Sequence, residues 1–127
     1  MLDRYARLAA RLGFRPGAAM RVPVPEAAAA KAGTLLSNLK RPVALFPGNF
    51  KKNENRWPEE RFAMLADRLA ALGGFSPYWL AGPGELDDVR RTAALARTPL
   101  PVLGPYPLET TAALLDASAL YVGNCTG

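Results

Sequence analysis

The chain has 127 residues, half of them apolar and 21% charged, which is enough for one core and too little for two full domains. That balance excludes a disordered chain, and a single cysteine excludes an internal disulfide framework. Histidine is absent, so His-ligated zinc, Ser-His-Asp triads and Cys-His dyads are beyond what this chain can do alone. No apolar run reaches the length of a membrane span, and the start MLDRYARLAARLGF lacks the continuous hydrophobic stretch of a secretory signal. The lone cysteine fits a reducing cytoplasm.

The net charge of +5 is concentrated early: residues 1–24 carry Arg4, Arg7, Arg11, Arg15 and Arg21 against Asp3 alone. Helical spacing puts Arg4, Arg7 and Arg11 on one face and Leu2, Tyr5, Leu8 and Leu12 on another. Such a helix can dock on an anionic membrane or on nucleic acid, or present a solvated face while its apolar side packs on the domain. The solvated face is the simpler reading. Nucleic acid is disfavoured because no aromatic residues interleave on the arginine face.

After Arg15-Pro16-Gly17 breaks the chain, Met20–Val24 alternates weakly like a short extended segment. Pro25 and Glu26 open an alanine-rich helix that is expected to run to about Leu39. Val43–Phe46 is a short apolar run ended by Pro47-Gly48, and a helix follows from about Pro58 to Leu72, with Phe62, Leu65, Leu69 and Leu72 on one stripe and Gly73-Gly74 as its stop. Tyr78–Ala81 is the next apolar run, ended by Gly82-Pro83-Gly84. A helix from Glu85 to Arg97 then puts Leu86, Val89, Ala93 and Ala96 on one face. Leu100–Leu103 reads as a third strand, Leu108–Ala117 as another helix, and Ala119–Val122 as a fourth strand.

Strand and helix thus alternate from residue 42, and strands that read as continuous apolar runs are those buried on both faces of a parallel sheet. The expected fold is α/β, a Rossmann-like doubly wound parallel sheet with right-handed crossovers and strand order 3-2-1-4. Pro101 suits the edge position that this order gives the third strand. Residues 1–41 read as a helical lead-in and 42–127 as the domain itself. The chain stops just after the fourth strand, where a further helix would cover the open face, so the domain is expected to be incomplete, with Leu35, Leu36 and Leu39 covering part of that face.

Ligands of such sheets bind outside the carboxyl ends of the strands. Three of those ends are glycine-rich here: Pro47-Gly48-Asn49, Gly82-Pro83-Gly84 and Gly123-Asn124-Cys125-Thr126-Gly127. Glycines let a ligand reach the backbone, and each loop leads towards a helix N-terminus suited to phosphate. Any one of these loops could need glycine for turn geometry alone; three together favour a ligand crevice. A dinucleotide fingerprint is missing, because Asp87 stands where its third glycine would be, and no strand precedes a P-loop sequence.

The stretch PGNFKKNENRWPEERF (Pro47–Phe62), taken with AGPGE (Ala81–Glu85) and GNCTG (Gly123–Gly127), resembles the C-terminal half of family nine glycosyltransferases, the ADP-heptose:lipopolysaccharide heptosyltransferases and their relatives. The resemblance covers residues 42–127 in order. It implies a GT-B fold, two Rossmann-like domains facing a cleft, with this one holding the nucleotide-sugar donor. The family's glycine loop matches Gly48, Asn49 and Phe50, whose backbone would face the donor. Its acidic residue matches Glu85, which would accept hydrogen bonds from ribose hydroxyls; a helix-start acid favoured by the macrodipole is the structural alternative. The family's Asp-Ser/Thr-Gly turn matches Cys125-Thr126-Gly127, where amides and the hydroxyl would hold the diphosphate. Thr126 as a plain N-cap is the alternative there.

Three departures stand out. The family's lysine two residues before the tryptophan is Asn55 here, with Lys51 and Lys52 upstream as substitutes for its charge or as solvated surface groups. The turn's aspartate is Cys125. The family's histidine beyond that turn has no counterpart in the chain. Trp57, Pro58 and Phe62 match the family and read most simply as packing and a helix start.

The resulting expectation is the donor-binding part of an inverting, metal-independent transferase in lipopolysaccharide or other envelope glycan synthesis. It would need no cofactor, take an ADP-heptose-like donor and a glycolipid acceptor, and sit in the cytoplasm, with peripheral contact on the inner membrane left open. The family's general base is expected on the other half, so no catalytic residue is named. The alternative is a non-catalytic nucleotide-binding or protein-interaction remnant of the same fold. An independent hydrolase is disfavoured for want of a histidine and a nucleophile elbow.

Overall fold

The computed structural model describes Arg11, Gly13, residues 22–48 and residues 56–124. Among the described residues four helices and four strands alternate: α1 (Glu26–Leu36), β1 (Pro42–Phe46), α2 (Glu59–Ala71), β2 (Ser76–Leu80), α3 (Leu86–Ala93), β3 (Val102–Leu103), α4 (Leu108–Asp116) and β4 (Leu120–Gly123). All strand pairs are parallel and the order is β3-β2-β1-β4, as the sequence predicts. The basic helix expected over the first residues lies outside the described residues apart from Arg11.

Local chemistry explains where the helices begin. α1, α2 and α4 each open directly after a proline, Pro25, Pro58 and Pro107. A proline there has no N–H to leave unpaired, while its carbonyl takes the first helical bonds, as Pro58 does from Arg61 and Phe62. Gly73, at φ +66, ends α2 in the left-handed region that glycine enters freely.

Side-chain alternation along β1 and β2 divides the interior into two layers. Ala44, Tyr78 and Leu80 face α1 and α4, packing with Ala28, Ala32, Leu36, Ala113 and Leu114. Val43, Leu45, Trp79 and Ala81 face α2 and α3, packing with Phe62, Ala66, Leu69 and Val89. Leu35 and Leu39 pack beside Leu36 on the first side. Tyr78 keeps its buried hydroxyl 3.0 Å from Ser118 Oγ, and burial pushes its phenol pKa up.

Four local expectations are corrected. α1 ends at Leu36 rather than Leu39, because the chain tightens into a turn with Leu39 N–H on Leu36 O and the Ser37 hydroxyl on Thr34 O. α3 ends at Ala93 rather than Arg97: Leu95 and Ala96 bond three residues back, and the amides of Arg97 and Thr98 are taken by the Asp67 carboxylate at 3.1 and 2.8 Å. Leu72, expected on the buried stripe of α2, is 69% exposed. β4 is not buried on both faces: among the described elements it packs chiefly on β1, and Leu120 and Tyr121 are exposed.

The bonds to Arg97 and Thr98 hold the Asp67 carboxyl below its ordinary pKa. A carboxylate whose folded pKa is depressed stabilises the fold above the unfolded pKa of about 3.9, and that stabilisation is lost as pH falls through the lowered value. Asp67→Asn should therefore lose stability near neutral pH and melt with a shallower dependence on acid than the wild type. Parallel acid-melting profiles would contradict this.

Candidate functional site

β1 sends the chain to β2 and β3 on one side, and β4 returns on the other, which places the topological switch point at the carboxyl ends of β1 and β4. Beside it, β2 ends in Ala81 and the turn Gly82-Pro83-Gly84-Glu85. The amide of Glu85 bonds the carbonyl of Gly82 at 3.1 Å, and Gly84 has φ +74, the Pro-Gly signature of a type II turn. The turn folds Glu85 back over the strand ends. Its Oε2 lies 2.7 Å from where a Cβ would stand on Gly48 and 2.7 Å from where one would stand on Gly82. Glu85 occupies the N-cap position of α3 but makes no side-chain capping bond there. The carboxylate is thus directed into the crevice, and Gly48 and Gly82 are glycines because that carboxylate and the Phe46 ring fill the space a side chain would need.

Asn124 holds the same corner from the other side. It is nine-tenths buried, and its Nδ2 donates to Pro47 O at 3.0 Å and Gly48 O at 3.3 Å. Its Oδ1 accepts the amide of Trp57 at 2.9 Å, and its own amide continues the β1–β4 ladder to Phe46 O. One side chain therefore joins the end of β1, the residue before Pro58 and the end of β4. Three residues back, the Tyr121 hydroxyl lies over Gly123, in the space a Cβ there would take, and burial pushes its pKa up.

The start of α2 is tied to α3 by charge. Arg56 Nη2 meets Glu59 Oε1 at 2.5 Å, with both side chains mostly buried, and Glu59 Oε2 lies 3.1 Å from the buried Thr92 hydroxyl and 3.9 Å from Arg91 Nε. Arg91 also pairs with Asp88 at 2.6 Å, the main cause of its raised pKa. Arg56, the cation adjacent to Asn55, is therefore engaged in holding two helices together. Among the described residues no group of three or more His, Cys, Asp or Glu is placed to hold a metal.

This arrangement has known counterparts. Residues 1–127 match the family described as Glycosyltransferase family 9 (heptosyltransferase). The chain belongs to glycosyltransferase family 9. Among solved structures, a family 9 glycosyl transferase from Veillonella parvula DSM 2008 superposes with a TM-score of 0.79 at 24% identity, covering 95% of this chain and 36% of that one. E. coli ADP-heptose lps heptosyltransferase II superposes with a TM-score of 0.69 at 19% identity, covering 86% and 35% respectively. The family 9 chain here thus spans about a third of the length of these solved relatives. A search of curated proteins finds no match.

Of the site residues expected for a family 9 donor domain, Gly48 and Glu85 are brought into contact. Asn49, Phe50, Lys52, Asn55, Thr126 and Gly127 lie outside the described residues, as do Lys51 and Cys125. Phe62 is buried, while Trp57 is 37% exposed and meets the Phe62 ring edge-on at 4.9 Å. For two contributors the sequence names the loop but not the part each residue plays in it. Gly82 serves close approach rather than positive φ, and nothing in GPGE distinguishes the two uses. Asn124 reads as one more loop residue, although a single amide after an apolar strand is a group able to pair a donor and an acceptor at once.

Proposed function

We propose that this family 9 chain contributes the donor-binding part of an inverting, metal-independent glycosyltransferase. Its donor is a nucleoside-diphosphate sugar, an ADP-sugar by analogy with the E. coli heptosyltransferase. Its acceptor is a glycolipid of lipopolysaccharide or another envelope glycan, reached from the cytoplasmic side through a peripheral membrane contact. The observation that carries the reading is the Glu85 carboxylate folded over Gly48 and Gly82 at the carboxyl ends of β1 and β2. An ionised carboxylate only accepts, which suits two vicinal ribose hydroxyls, while the glycine backbone leaves room for the donor to approach. Asn49, Phe50, Lys52, Asn55, Thr126 and Gly127 are the remaining donor contacts in this reading.

In the reaction, an acceptor hydroxyl attacks the anomeric carbon as the bond from that carbon to the diphosphate oxygen breaks. The hydroxyl proton passes to a base supplied by the other half of the transferase, and the nucleoside diphosphate leaves with the electron pair. Amides of the glycine loops and the lysines after Phe50 would stabilise the leaving charge.

Calorimetry of the chain with ADP, GDP and UDP tests this. ADP is expected to bind best, and Glu85→Gln to weaken it by about 1–3 kcal/mol, the scale of a hydrogen bond to a charged group. The ligand-free melting temperature should hardly move. Equal ADP affinity in Glu85→Gln would return Glu85 to a helix-start role, and no nucleotide binding at all would favour the protein-interaction remnant.

A further inference from the structure

We propose that Asn124 is a positioning residue of the donor site: its amide is a clasp that fixes the Gly48 backbone against Glu85. The inference rests on the donor-binding reading above and extends it to a residue that touches no ligand.

The geometry is specific to a carboxamide. The clasp needs an N–H donor facing two carbonyl oxygens, Pro47 O and Gly48 O, and an acceptor facing the Trp57 amide on the opposite side. Asn carries both on one planar group short enough to remain tied to β4 through its own amide on Phe46 O. Pro47 and Gly48 are buried, and among the described residues it is Asn124 that pairs their carbonyls, groups that are costly to bury unpaired. The strand pairing of β1 with β4 fixes the ends of the two strands up to Phe46 and Gly123. Beyond them, the described hydrogen bonds to Pro47 O and Gly48 O come from Asn124. Gly48 is also the residue whose missing Cβ admits the Glu85 carboxylate. A Gly48 backbone free to shift would change the distance between that carboxylate and the surface the donor must approach. The clasp therefore acts on affinity through geometry, without contacting the nucleotide.

The decisive variant is Asn124→Asp, which keeps shape and the acceptor for Trp57. Ionised, it sets a carboxylate oxygen against two carbonyl oxygens. Protonated, it supplies an O–H donor and restores one of the lost bonds. The charged groups of the neighbouring elements, Glu85 against Gly48 and Arg56 beside Trp57, are common to variant and wild type. The probe is ADP, measured calorimetrically on the chain, with circular dichroism confirming the fold. Asn124→Asp is expected to bind ADP about tenfold more weakly than wild type at about pH 8, with the ratio closing as pH falls, because burial against two carbonyl oxygens makes the carboxyl protonate above the ordinary aspartate range.

Asn124→Ser leaves no charge and cannot span all three partners, and it covers the case in which the aspartate variant unfolds. It should bind ADP several-fold more weakly, with a ratio to wild type that does not vary with pH. Wild-type affinity in folded Asn124→Ser, or a pH-independent ratio for folded Asn124→Asp, overturns the clasp while leaving the donor reading intact. Absence of ADP binding by the wild type overturns both.

Discussion

Gly48→Ala should lower the melting temperature and the nucleotide affinity together. A Cβ at Gly48 would stand 2.7 Å from the Cε1 and Cζ atoms of Phe46 as well as 2.7 Å from Glu85 Oε2. The carboxylate is the end of a flexible side chain and can swing aside. The Phe46 ring packs against the α1–α4 layer and cannot move without disturbing it. Overpacking of this kind costs about 1–3 kcal/mol, and each kcal/mol shifts the melting point of a domain near this size by about 4–8 °C. Gly82→Ala separates the two effects, because its Cβ meets Glu85 Oε2 at 2.7 Å but the nearest Phe46 atom at 3.4 Å. It should displace Glu85 at little cost in stability, and reduce ADP affinity about as much as Glu85→Gln does. The double variant Gly82→Ala/Glu85→Ala should then lose no more affinity than Glu85→Ala alone, since the two residues are in contact and their effects are not additive. An unchanged melting point in Gly48→Ala would show that Phe46 has room to yield, and the packing argument would fail.

The parts of this fold that were legible in the sequence are those fixed by local rules acting in agreement. Val43–Phe46 and Tyr78–Ala81 are runs too apolar for any place but a covered sheet, and β1 and β2 lie there. Pro58 and Gly73-Gly74 mark the ends of α2 to within a residue, because proline and glycine carry their conformational preferences with them. Pro101 points to an edge strand, and β3 is at the edge. What was not legible depends on contacts between distant segments. Nothing near Ala93 announces that α3 stops there. The cause is Asp67, some thirty residues earlier, which draws in the amides of Arg97 and Thr98. Leu120 and Tyr121 of β4 are exposed although they read as apolar as the residues of β1, because among the described elements β4 packs chiefly on β1 and no helix covers them. At the site, the glycines and Glu85 could be named from their motifs. Their mutual contact could not, and Asn124 acquires its importance only when β4 comes to lie beside β1.

Trp79 is where the two halves of the α2–α3 layer meet, and Trp79→Ala should be the most destabilising of the changes considered. The side chain is fully buried among Val43, Leu45, Phe62, Ala66, Leu69 and Val89, so both α2 and α3 rest on it. Truncating a buried aromatic of this size to alanine costs about 3–5 kcal/mol, a large share of the roughly 5–15 kcal/mol that holds a domain together. α3 begins immediately after Glu85, so the same change should loosen the site. Trp79→Phe is the informative partner. The indole Nε1–H is buried without a hydrogen-bond partner among the described residues, and a buried donor left unpaired costs about 1–3 kcal/mol. Phenylalanine keeps most of the contact area and discards that N–H, so the lost packing and the removed penalty oppose each other. The phenylalanine variant is expected to lose about half of the alanine loss or less, and to keep its ADP affinity. Urea unfolding of the two variants side by side checks this. If Trp79→Phe proves as unstable as Trp79→Ala, the indole N–H holds a partner in the folded chain, and the nitrogen rather than the ring volume is what the core requires at this position.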